Sequence, residues 1–439
     1  MENARADADV SNVRLRVPDR SQVLMKVEAP DELIPAGHQA RVVWQVVESM
    51  DLSAFLDPIK ARDSVCGRDA TDPRLLVALW LYATIRGVGS ARELARLCLE
   101  SRPFVWLCGG VTVNHHLLSD FRVGHADALD ALFTRAIAAL VDRGLVKVTR
   151  ISQDGTRVRA SAGASSFRRG QKLGELLKEA EQQVANTRAL LEDPTRSAGL
   201  SAGQKAARKR AAAERRGRIE RAIAALPKLE RKQQKLAKKV AAKDKAEKLK
   251  EPRASTTDPD ARVMKMANGG FNPAVNVQFA VDTESRAVVG VDVVSEGNDH
   301  HLSEPMRRQV EQRTGQKVEE QLIDGGYLVK EEIEAAAAEG VTLFVPPKPP
   351  RNKQDRVSQY APMPGESQTL TDWRARMGSE EGKRIYKERA STSETVNADL
   401  RAHRGLDRLR VRGLPKAKSV ALWMALAYNL VHFGMALSG

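Results

Sequence analysis

The sequence predicts an α+β, or α/β, fold in which an all-helical N-terminal domain precedes a domain built on a mixed sheet. Helical periodicity and helix caps dominate residues 40–145, whereas short apolar-alternating runs follow from residue 146. A third stretch, about 167–255, is rich in Lys, Arg, Ala and Glu and interrupts the sheet pattern. We therefore predict a flexible N-terminal arm at 1–39, a helical domain at 40–145, and a sheet domain at 146–439 that carries an inserted basic arm.

The charge balance favours a polyanionic partner. The chain of 439 residues has 71 Lys and Arg against 56 Asp and Glu, a formal net charge of +15. Such an excess suits nucleic acid, with an anionic membrane surface as the competitor. The three cysteines lack metal-binding spacing, and the first twenty residues are polar, so no disulfide framework and no signal peptide are expected. These observations predict a cytoplasmic, nucleoid-associated protein.

The helical domain carries clear start signals. Asp72-Pro73 is an N-cap followed by proline, and Ser90 with Glu93 forms a capping box. Several short helices, basic on one side, suit DNA binding, but a plain helical scaffold has the same pattern. Two adjacent histidines, His115 and His116, cannot face one way on a helix, so we predict loop or cap residues and no shared metal.

Three further segments have distinct compositions. Residues 167–255 predict a helical hairpin or coiled coil with a kink at Pro227, which either lies on DNA phosphates or makes dimer contacts. Residues 348 to about 376 predict a Pro-rich polar excursion. Residues 419–439 are apolar and long enough to span a membrane, but Asn429 interrupts them, and we predict a helix buried in the fold.

A possible catalytic carboxylate lies near the start of the sheet domain. Apolar residues alternate from Val146 to Val158 around Asp154-Gly155, a pair typical of tight turns. The pattern predicts a β-hairpin in which Asp154 ends the first strand. An Asp before Gly is most often only a turn former, so its significance depends on other carboxylates farther along the chain.

The order of the remaining elements brings such carboxylates together. Without the basic arm, the chain predicts β(Asp154)-β-β-α-β(Asp324)-α-β-α, which describes an RNase H-like mixed sheet with Asp154 and Asp324 on neighbouring strands. The final helix can add Glu394, which shares a face with Asn397 and Arg401. Glu388 is the rival carboxylate.

Three carboxylates at one sheet edge suit Mg²⁺ ions. Magnesium prefers oxygen ligands and keeps waters and phosphate oxygens in its shell. Two such ions can activate an attacking oxygen and stabilise a leaving one. We therefore predict a site for two Mg²⁺ ions, with Mn²⁺ as a substitute, held by Asp154, Asp324 and Glu394.

Several motifs together resemble a known family, the DDE transposases of bacterial insertion sequences with an InsH-type N-terminal region. The matching segments are DPRLLVALWLYATIRGVGSARELARL, NHHLLSDFR, SQDGTRVRA, NPAVNVQFAVD, LIDGGY, and IYKERASTSETVNADLRAHRGLDRLRVRGLPK with ALAYNL. Together they cover most of the chain outside the N-terminal and basic arms.

The resemblance implies a function and a set of residues. The family's acidic triad carries over to Asp154, Asp324 and Glu394. A Tyr-Arg-Glu-Lys signature of many relatives is similar to Tyr386, Arg389, Glu394 and Arg401. Here four residues separate Arg389 from Glu394, where the commoner signature has three, and arginine replaces the final lysine. The residues expected to contact DNA are Tyr386, Lys387, Arg389, Arg401, Arg157 and Arg159.

The activity implied by the resemblance is Mg²⁺-dependent cutting of double-stranded DNA at the element's terminal repeats, followed by attack of the 3′-OH on target DNA. A homodimer or higher multimer on paired ends is expected, with no membrane partner. Two alternatives remain open from the residues alone: a related metal-dependent nuclease without strand transfer, and a non-catalytic DNA-binding protein, domesticated or decayed. A membrane-anchored basic protein is a third reading, which depends only on the C-terminal segment.

Overall fold

A computed structural model describes residues 20–21, 23, 27–61, 69–241, 251–349 and 358–437. It has helices and strands in one chain, with a mixed sheet, so the predicted α+β class is confirmed. The N-terminal arm predicted at 1–39 lies largely outside the described residues; among those described, a 3₁₀ turn at Pro30–Leu33 precedes the first helix.

Seven helices form the N-terminal part of the structure. They are α1 Gln39–Ser49, α2 Ser53–Leu56, α3 Pro73–Ile85, α4 Ala91–Glu100, α5 Arg102–Cys108, α6 His115–Gly124 and α7 Ala126–Asp142. The two predicted N-caps are confirmed, because Asp72 accepts from the Arg74 amide and Ser90 from the Glu93 amide. The histidine pair occupies the first turn of α6, where Asn114, and not a histidine, is the cap.

Eight strands follow in the remaining residues that the structure describes. They are β1 Arg150–Arg159, β2 Phe167–Arg168, β3 Ala254–Ser255, β4 Arg262–Lys265, β5 Phe271–Asp282, β6 Val288–Val294, β7 Glu320–Leu322 and β8 Thr342–Phe344. In the main sheet, β5 pairs antiparallel with β1, β4 and β6, whereas β1 and β7 are parallel, as are β7 and β8. The central strand β1 therefore joins the antiparallel half of the sheet to the parallel half.

The predicted hairpin at Asp154-Gly155 is wrong. Strand β1 continues through this pair, and Asp154 and Gly155 lie opposite Phe279 and Gln278 of β5. Glycine is required here by space and not by a turn: a Cβ on Gly155 would overlap the amide of Gln278 and lie 2.5 Å from Oδ1 of Asp299. The long antiparallel ladder with β5 overrides the local turn preference of the pair.

Nine helices complete the structure. They are α8 Gly170–Glu192, α9 Pro194–Ser197, α10 Ala202–Ala241, α11 Ser303–Thr314, α12 Lys330–Ala338, α13 Gln368–Gly378, α14 Glu380–Arg389, α15 Thr395–Arg404 and α16 Leu414–Leu437. A π-helical turn, Ala390–Glu394, joins α14 to α15. Helix α13 corrects the predicted excursion at about 348–376, whose last part is helical and buries Trp373; residues 350–357 of that segment lie outside the described residues.

The basic arm is a helical hairpin, as predicted. Helices α8 and α10 pack through a small apolar cluster that includes Leu173, Ile219 and Leu226. Helix α10 continues past Pro227. The pairing of β2 with β3 ties the two ends of the arm together at its base. The predicted apolar positions Leu236 and Val240 have side chains outside the described part.

Helix α16 is the long C-terminal apolar segment. It is long and apolar enough to cross a membrane, yet 67% of its most apolar window is buried inside the fold. It packs against α3, α7 and β6. The Asn429 side chain accepts from the Val288 amide at 2.9 Å and donates to the Val288 carbonyl at 2.8 Å. These two bonds satisfy buried backbone groups of β6 on the side that pairs with no strand. The predicted buried helix is confirmed, and it joins the N-terminal helices and the sheet in one hydrophobic core.

Candidate active site

The site begins with a register match between strand β1 and the helix that lies over it. Two residues along a strand advance about 6.6 Å, and four residues along a helix about 6 Å, so alternate strand residues can meet every fourth helix residue. Side-chain hydrogen bonds join three such pairs: Ser152 with Ser393 at 2.7 Å, Asp154 with Asn397 at 2.9 Å, and Thr156 with Arg401. The helix therefore fixes the Asp154 side chain from above.

A π-helical turn at Ala390–Glu394 adjusts the phase of this helix. The Thr395 hydroxyl donates to the Ala390 carbonyl, five residues back, at 3.0 Å. A π turn accommodates one residue more than an α turn, and such turns occur frequently at functional sites. It absorbs the extra residue between Arg389 and Glu394, so their side chains still form an ion pair.

Asp324 reaches the same edge of the sheet through the parallel pairing of β1 with β7. The ladder ends at Ser152 opposite Leu322, and Asp154 and Asp324 each lie two residues beyond it. Asp324 starts a turn in which its Oδ1 accepts from the Gly326 amide at 2.7 Å. The three predicted carboxylates therefore come from β1, from the loop after β7, and from the π turn.

Arg389 lies among these carboxylates. It contacts Asp154 Oδ1 at 3.3 Å and forms a close pair with Glu394. Its guanidinium also lies over the ring of Tyr386, 5.9 Å from the centroid. Tyr386 is half-buried, and burial raises the pKa of its hydroxyl. One arginine thus serves as counter-ion to two acids, with the aromatic ring as its support.

Asp154 is the carboxylate of this group whose pKa burial raises most clearly. Its side chain is 19% exposed. Burial raises its pKa from 3.8 to about 6; Arg389 and the Asn397 hydrogen bond oppose the rise, and the nearby charges of Asp324 and Glu394 add to it. A carboxylate that is desolvated and surrounded by other carboxylates favours a cation beyond the single arginine.

Glu388, the rival third carboxylate, lies in a different ion pair. It receives two hydrogen bonds from Arg150 Nη1, at 3.1 and 2.9 Å, and Arg150 also pairs with Glu320. Glu394, by contrast, is 47% exposed and shares Arg389 with Asp154. The geometry therefore separates the two glutamates by partner, and only Glu394 faces the aspartates through a common arginine.

The donor set fits a divalent cation in chemistry. All candidate ligands are oxygens, which suits Mg²⁺. Oδ1 of Asn397 is buried without a hydrogen-bond partner beside Asp154. In the part of the chain that the structure describes, no three His, Cys, Asp or Glu side chains are close enough to hold an ion as they stand. Arg389 accounts for this spacing, because its guanidinium occupies the space between Asp154 and Glu394.

A fourth acid, Asp299, was missed by the sequence analysis. Its Oδ1 accepts from Asn276 at 2.7 Å and from Gln278 at 2.8 Å. A Cβ on Gly326 would lie 3.3 Å from its Oδ2, so it borders the Asp324 turn. Tyr327, which donates to Gln278, belongs to the same polar layer beneath Gly155. The only local signal was the polar run after β6.

The residues expected to contact DNA are placed differently. Arg401 binds Thr156 and the Arg157 carbonyl on the side of Asp154. Arg157 points to the opposite face, where it donates to the carbonyls of Lys265 and Gly297, both at 2.9 Å. Lys387 and Arg159 are exposed. The structure thus brings Arg389 and Arg401 to the carboxylates and keeps Arg157 away from them.

Comparison with protein families identifies the class. The family model described as a transposase domain (DUF772) matches residues 28–124, which are α1 to α6. The chain is therefore transposase-like at its N-terminal end. The model of a transposase DDE domain matches residues 347–433, which include Arg389, Glu394 and Arg401.

Two segments of the chain are thus similar to transposase domains, one of them of the DDE type, in agreement with the resemblance to DDE transposases of insertion sequences. Neither match includes Asp154 or Asp324. A search of curated proteins found no match, and neither did a search of solved structures.

Proposed function

We propose that this protein is a transposase that cuts DNA at the ends of an insertion sequence and joins the resulting 3′-OH ends to target DNA. The observation that carries the proposal is the convergence of Asp154, Asp324 and Glu394 around Arg389, in a chain whose two ends match transposase domains. In phosphodiester chemistry, clustered carboxylates serve to hold cations such as Mg²⁺, which bind the substrate phosphate at the same time.

The sheet topology supports an RNase H-like catalytic domain at 146–439. Omitting the arm and the short β4, the strands lie in the order β6-β5-β1-β7-β8, with β1 antiparallel to β5 and parallel to β7. In this order Asp154 lies on the central strand, and Asp324 lies in the loop that follows its parallel neighbour. It is the arrangement that the sequence analysis expected of an RNase H-like sheet.

Asp154, Asp324 and Glu394 would hold Mg²⁺ ions. When bound, two such ions activate the attacking oxygen and stabilise the leaving oxygen of an in-line displacement. Asn397 donates to Asp154 Oδ2 and fixes the direction of the other carboxylate oxygen. Ser393 and Arg401 hold the helix to β1 on either side of that contact, and such outer contacts set the orientation of ligand side chains.

Arg389 would act as the exchangeable cation of the site. It neutralises part of the charge of Asp154 and Glu394, and it must leave the space between them before an ion can contact both. A DNA phosphate offers the guanidinium an alternative partner that it can bind through two N–H groups. Arrival of the DNA backbone and loading of the carboxylates would therefore be coupled through this side chain.

The rest of the chain would bind and position DNA. We assign DNA binding to the helical domain at 40–145, and either DNA contact or dimerisation to the arm at 167–255. The arm has many exposed Lys and Arg residues, and a basic surface of this kind binds phosphates independently of sequence. A homodimer or higher multimer would hold the two element ends together in the cytoplasm.

The test is an assay of cutting and joining with the purified full-length chain. Labelled DNA carrying the element's own ends is incubated with a plasmid target and Mg²⁺, using wild type and Asp324→Asn. Cut ends and joined products from wild type alone are expected. Cutting without joining would reassign the protein as a nuclease. Tight binding without cutting would reassign it as a DNA-binding protein.

A further inference from the structure

A large basic cleft lies beyond the C-terminal end of strand β1, which has Asp154 near its middle. It has a volume of about 890 Å³ and is open to solvent between two parts of the chain. One wall consists of the starts of α4 and α6 with the loop at 87–90, and the other is the segment 404–410 between α15 and α16. The walls are in close contact, because a Cβ on Gly89 would lie 3.7 Å from Arg410 Nε. This space is the basic cleft.

Arg122 lines the cleft. It is buried and forms no ion pair with a carboxylate of the described residues. It is only 7% exposed. Its Nη1 donates to the Gly89 carbonyl at 2.6 Å, and its guanidinium stacks on Trp80 at 4.5 Å from the centroid. Its Nε has no hydrogen-bond partner. Burial, and then the charge of Arg410, lower its pKa to about 10. A buried guanidinium with an unused donor is costly unless an anion completes it.

The other charges of the cleft have the same sign. Arg92, Arg408 and Arg410 are exposed and form no ion pair within the described ranges. Arg404 is already paired with Asp399 at 2.9 Å. Asp407 is the one acid among the lining residues that the structure describes. The first turn of α4 adds the partial positive charge of a helix N-terminus.

Strand β1 connects this cleft to the carboxylates. The Arg159 amide donates to the Asp407 carbonyl at 3.1 Å, and the Leu409 amide donates to the Arg159 carbonyl at 2.8 Å. Asp154 and Arg159 lie five residues apart on one strand, about 17 Å at the usual rise. DNA advances 3.4 Å per nucleotide of one strand, so this span equals about five nucleotides.

We propose that the basic cleft binds a phosphate of the DNA backbone about five nucleotides from the bond at the carboxylate site, through Arg122, Arg408 and Arg410. The distance along the DNA rests on the proposed function, whereas phosphate binding by the cleft does not. Arg122 supplies the fixed, desolvated donor at the bottom, and the exposed arginines reach the phosphate from the rim. Asp407 offsets part of the positive charge of the arginines at the rim.

The test measures DNA binding under conditions that prevent cutting. Binding of a fluorescent 30-base-pair duplex (about three helical turns) to the full-length protein is followed by anisotropy in EDTA at several NaCl concentrations. The variants are Arg408→Gln and Arg410→Gln, with Arg143→Gln as the matched control, since Arg143 is also exposed and lies outside the cleft. Arg122→Lys, which keeps the charge but not the fork, is a fourth variant.

Each rim variant is expected to reduce the slope of log affinity against log salt by up to about 0.9. The loss of affinity between 50 and 200 mM salt would then be smaller than that of wild type by a factor of about 3.5. Arg143→Gln should leave the slope unchanged. Equal slopes for rim variants and control would overturn the proposal. So would stabilisation of the protein by inorganic phosphate at fixed ionic strength with unchanged DNA slopes, because the cleft would then bind small anions only.

This experiment separates the two proposals. Reduced slopes in the rim variants, with no cutting by wild type in Mg²⁺, would support the cleft and reject the transposase assignment. Normal cutting by wild type with unchanged slopes in the rim variants would support the transposase assignment and reject the cleft proposal. Arg122→Lys should weaken binding relative to wild type at every salt concentration, because lysine lacks the planar guanidinium fork whose Nη1 bonds the Gly89 carbonyl while Nε stays available; full binding by this variant would remove Arg122 from the proposal.

Discussion

Two positions on strand β1, Asp154 near its middle and Arg159 at its C-terminal end, lie in surroundings of opposite and incompletely balanced charge. Near Asp154, Arg389 pairs with two acids, Asp154 and Glu394, and burial raises the pKa of Asp154 to about 6. Near Arg159, several arginines face one acid, and Arg122 is buried without a carboxylate. The net charge of +15 concealed this separation. This difference is the basis for proposing a cation site at Asp154 and a phosphate site in the basic cleft.

The largest expected effect is on DNA cutting, and it distinguishes Glu394 from Glu388. Glu394→Gln should lower DNA cutting at least about a thousandfold, because loss of a ligand exceeds the 10- to 100-fold cost of losing an outer partner. Glu388→Gln is the control, and its rate should fall less than about tenfold, because Glu388 pairs with Arg150. The measurement is the single-turnover rate in Mg²⁺. A larger loss in the Glu388 variant would move the third ligand to that residue.

Removal of the basic arm should have the next largest effect, on binding. Pairing of β2 with β3 holds the ends of the arm together, so residues 170–250 can be replaced by a short Gly-Ser linker. We expect roughly hundredfold weaker DNA binding at low salt and a smaller salt slope, since many phosphate contacts are lost. Anisotropy titrations would measure both. An unchanged slope with a change in oligomeric mass would assign the arm to dimerisation.

Asn397 should influence the site through Asp154. Asn397→Leu removes the 2.9 Å hydrogen bond to Asp154 and should reduce cutting by roughly 10- to 100-fold while raising the Mg²⁺ concentration needed. Ser393→Ala loses the neighbouring contact to Ser152 and serves as the matched control on the same helix. Equal losses in both variants, without a shift in the Mg²⁺ requirement, would indicate that Asn397 only holds the helix in place.

The last prediction concerns stability and pH and not activity. The folded-state pKa of Asp154, about 6, exceeds its ordinary value of 3.8, so the folded protein binds more protons between these values and loses stability as pH rises through them. Asp154→Asn lacks this loss and should be more stable by up to about 3 kcal/mol at pH 7.5 in EDTA. Near pH 4 the difference should disappear.

Urea unfolding at the two pH values measures that difference. Asp120→Asn, which removes an exposed carboxylate from α6, controls for the change in net charge and should behave like wild type. A variant at Asp154 that is less stable than wild type at pH 7.5 would show that its pairing with Arg389 outweighs the desolvation of the carboxylate.

Local patterns in the sequence predicted much of this architecture. The caps at Asp72 and Ser90 depend on nearby residues, and both are at their predicted positions in the structure. The apolar C-terminal helix was predicted to be buried because it contains Asn429, which bonds the edge of β6. In these cases local pattern and tertiary packing favour the same outcome.

Long-range contacts determined what the sequence analysis missed. Asp154-Gly155 has a strong turn signal, but its pairing with β5 and the crowding around Gly155 keep the strand extended. The π turn at Ala390–Glu394 follows from fitting α15 to β1, and sequence periodicity assumes a uniform helix. Asp299 reaches the site through Asn276 and Gln278 of another strand, so its role has no local pattern.

The most direct test of the division between the Asp154 site and the basic cleft is one experiment with two variants, Asp154→Asn and Arg408→Gln. Each variant is assayed for DNA binding and for cutting at saturating protein. We predict that Asp154→Asn binds DNA like wild type and does not cut, whereas Arg408→Gln binds more weakly and, once saturated, cuts at nearly the wild-type rate. If both variants lose the same property, or if Asp154→Asn still cuts, the account of a cation site and a phosphate site on one strand is contradicted.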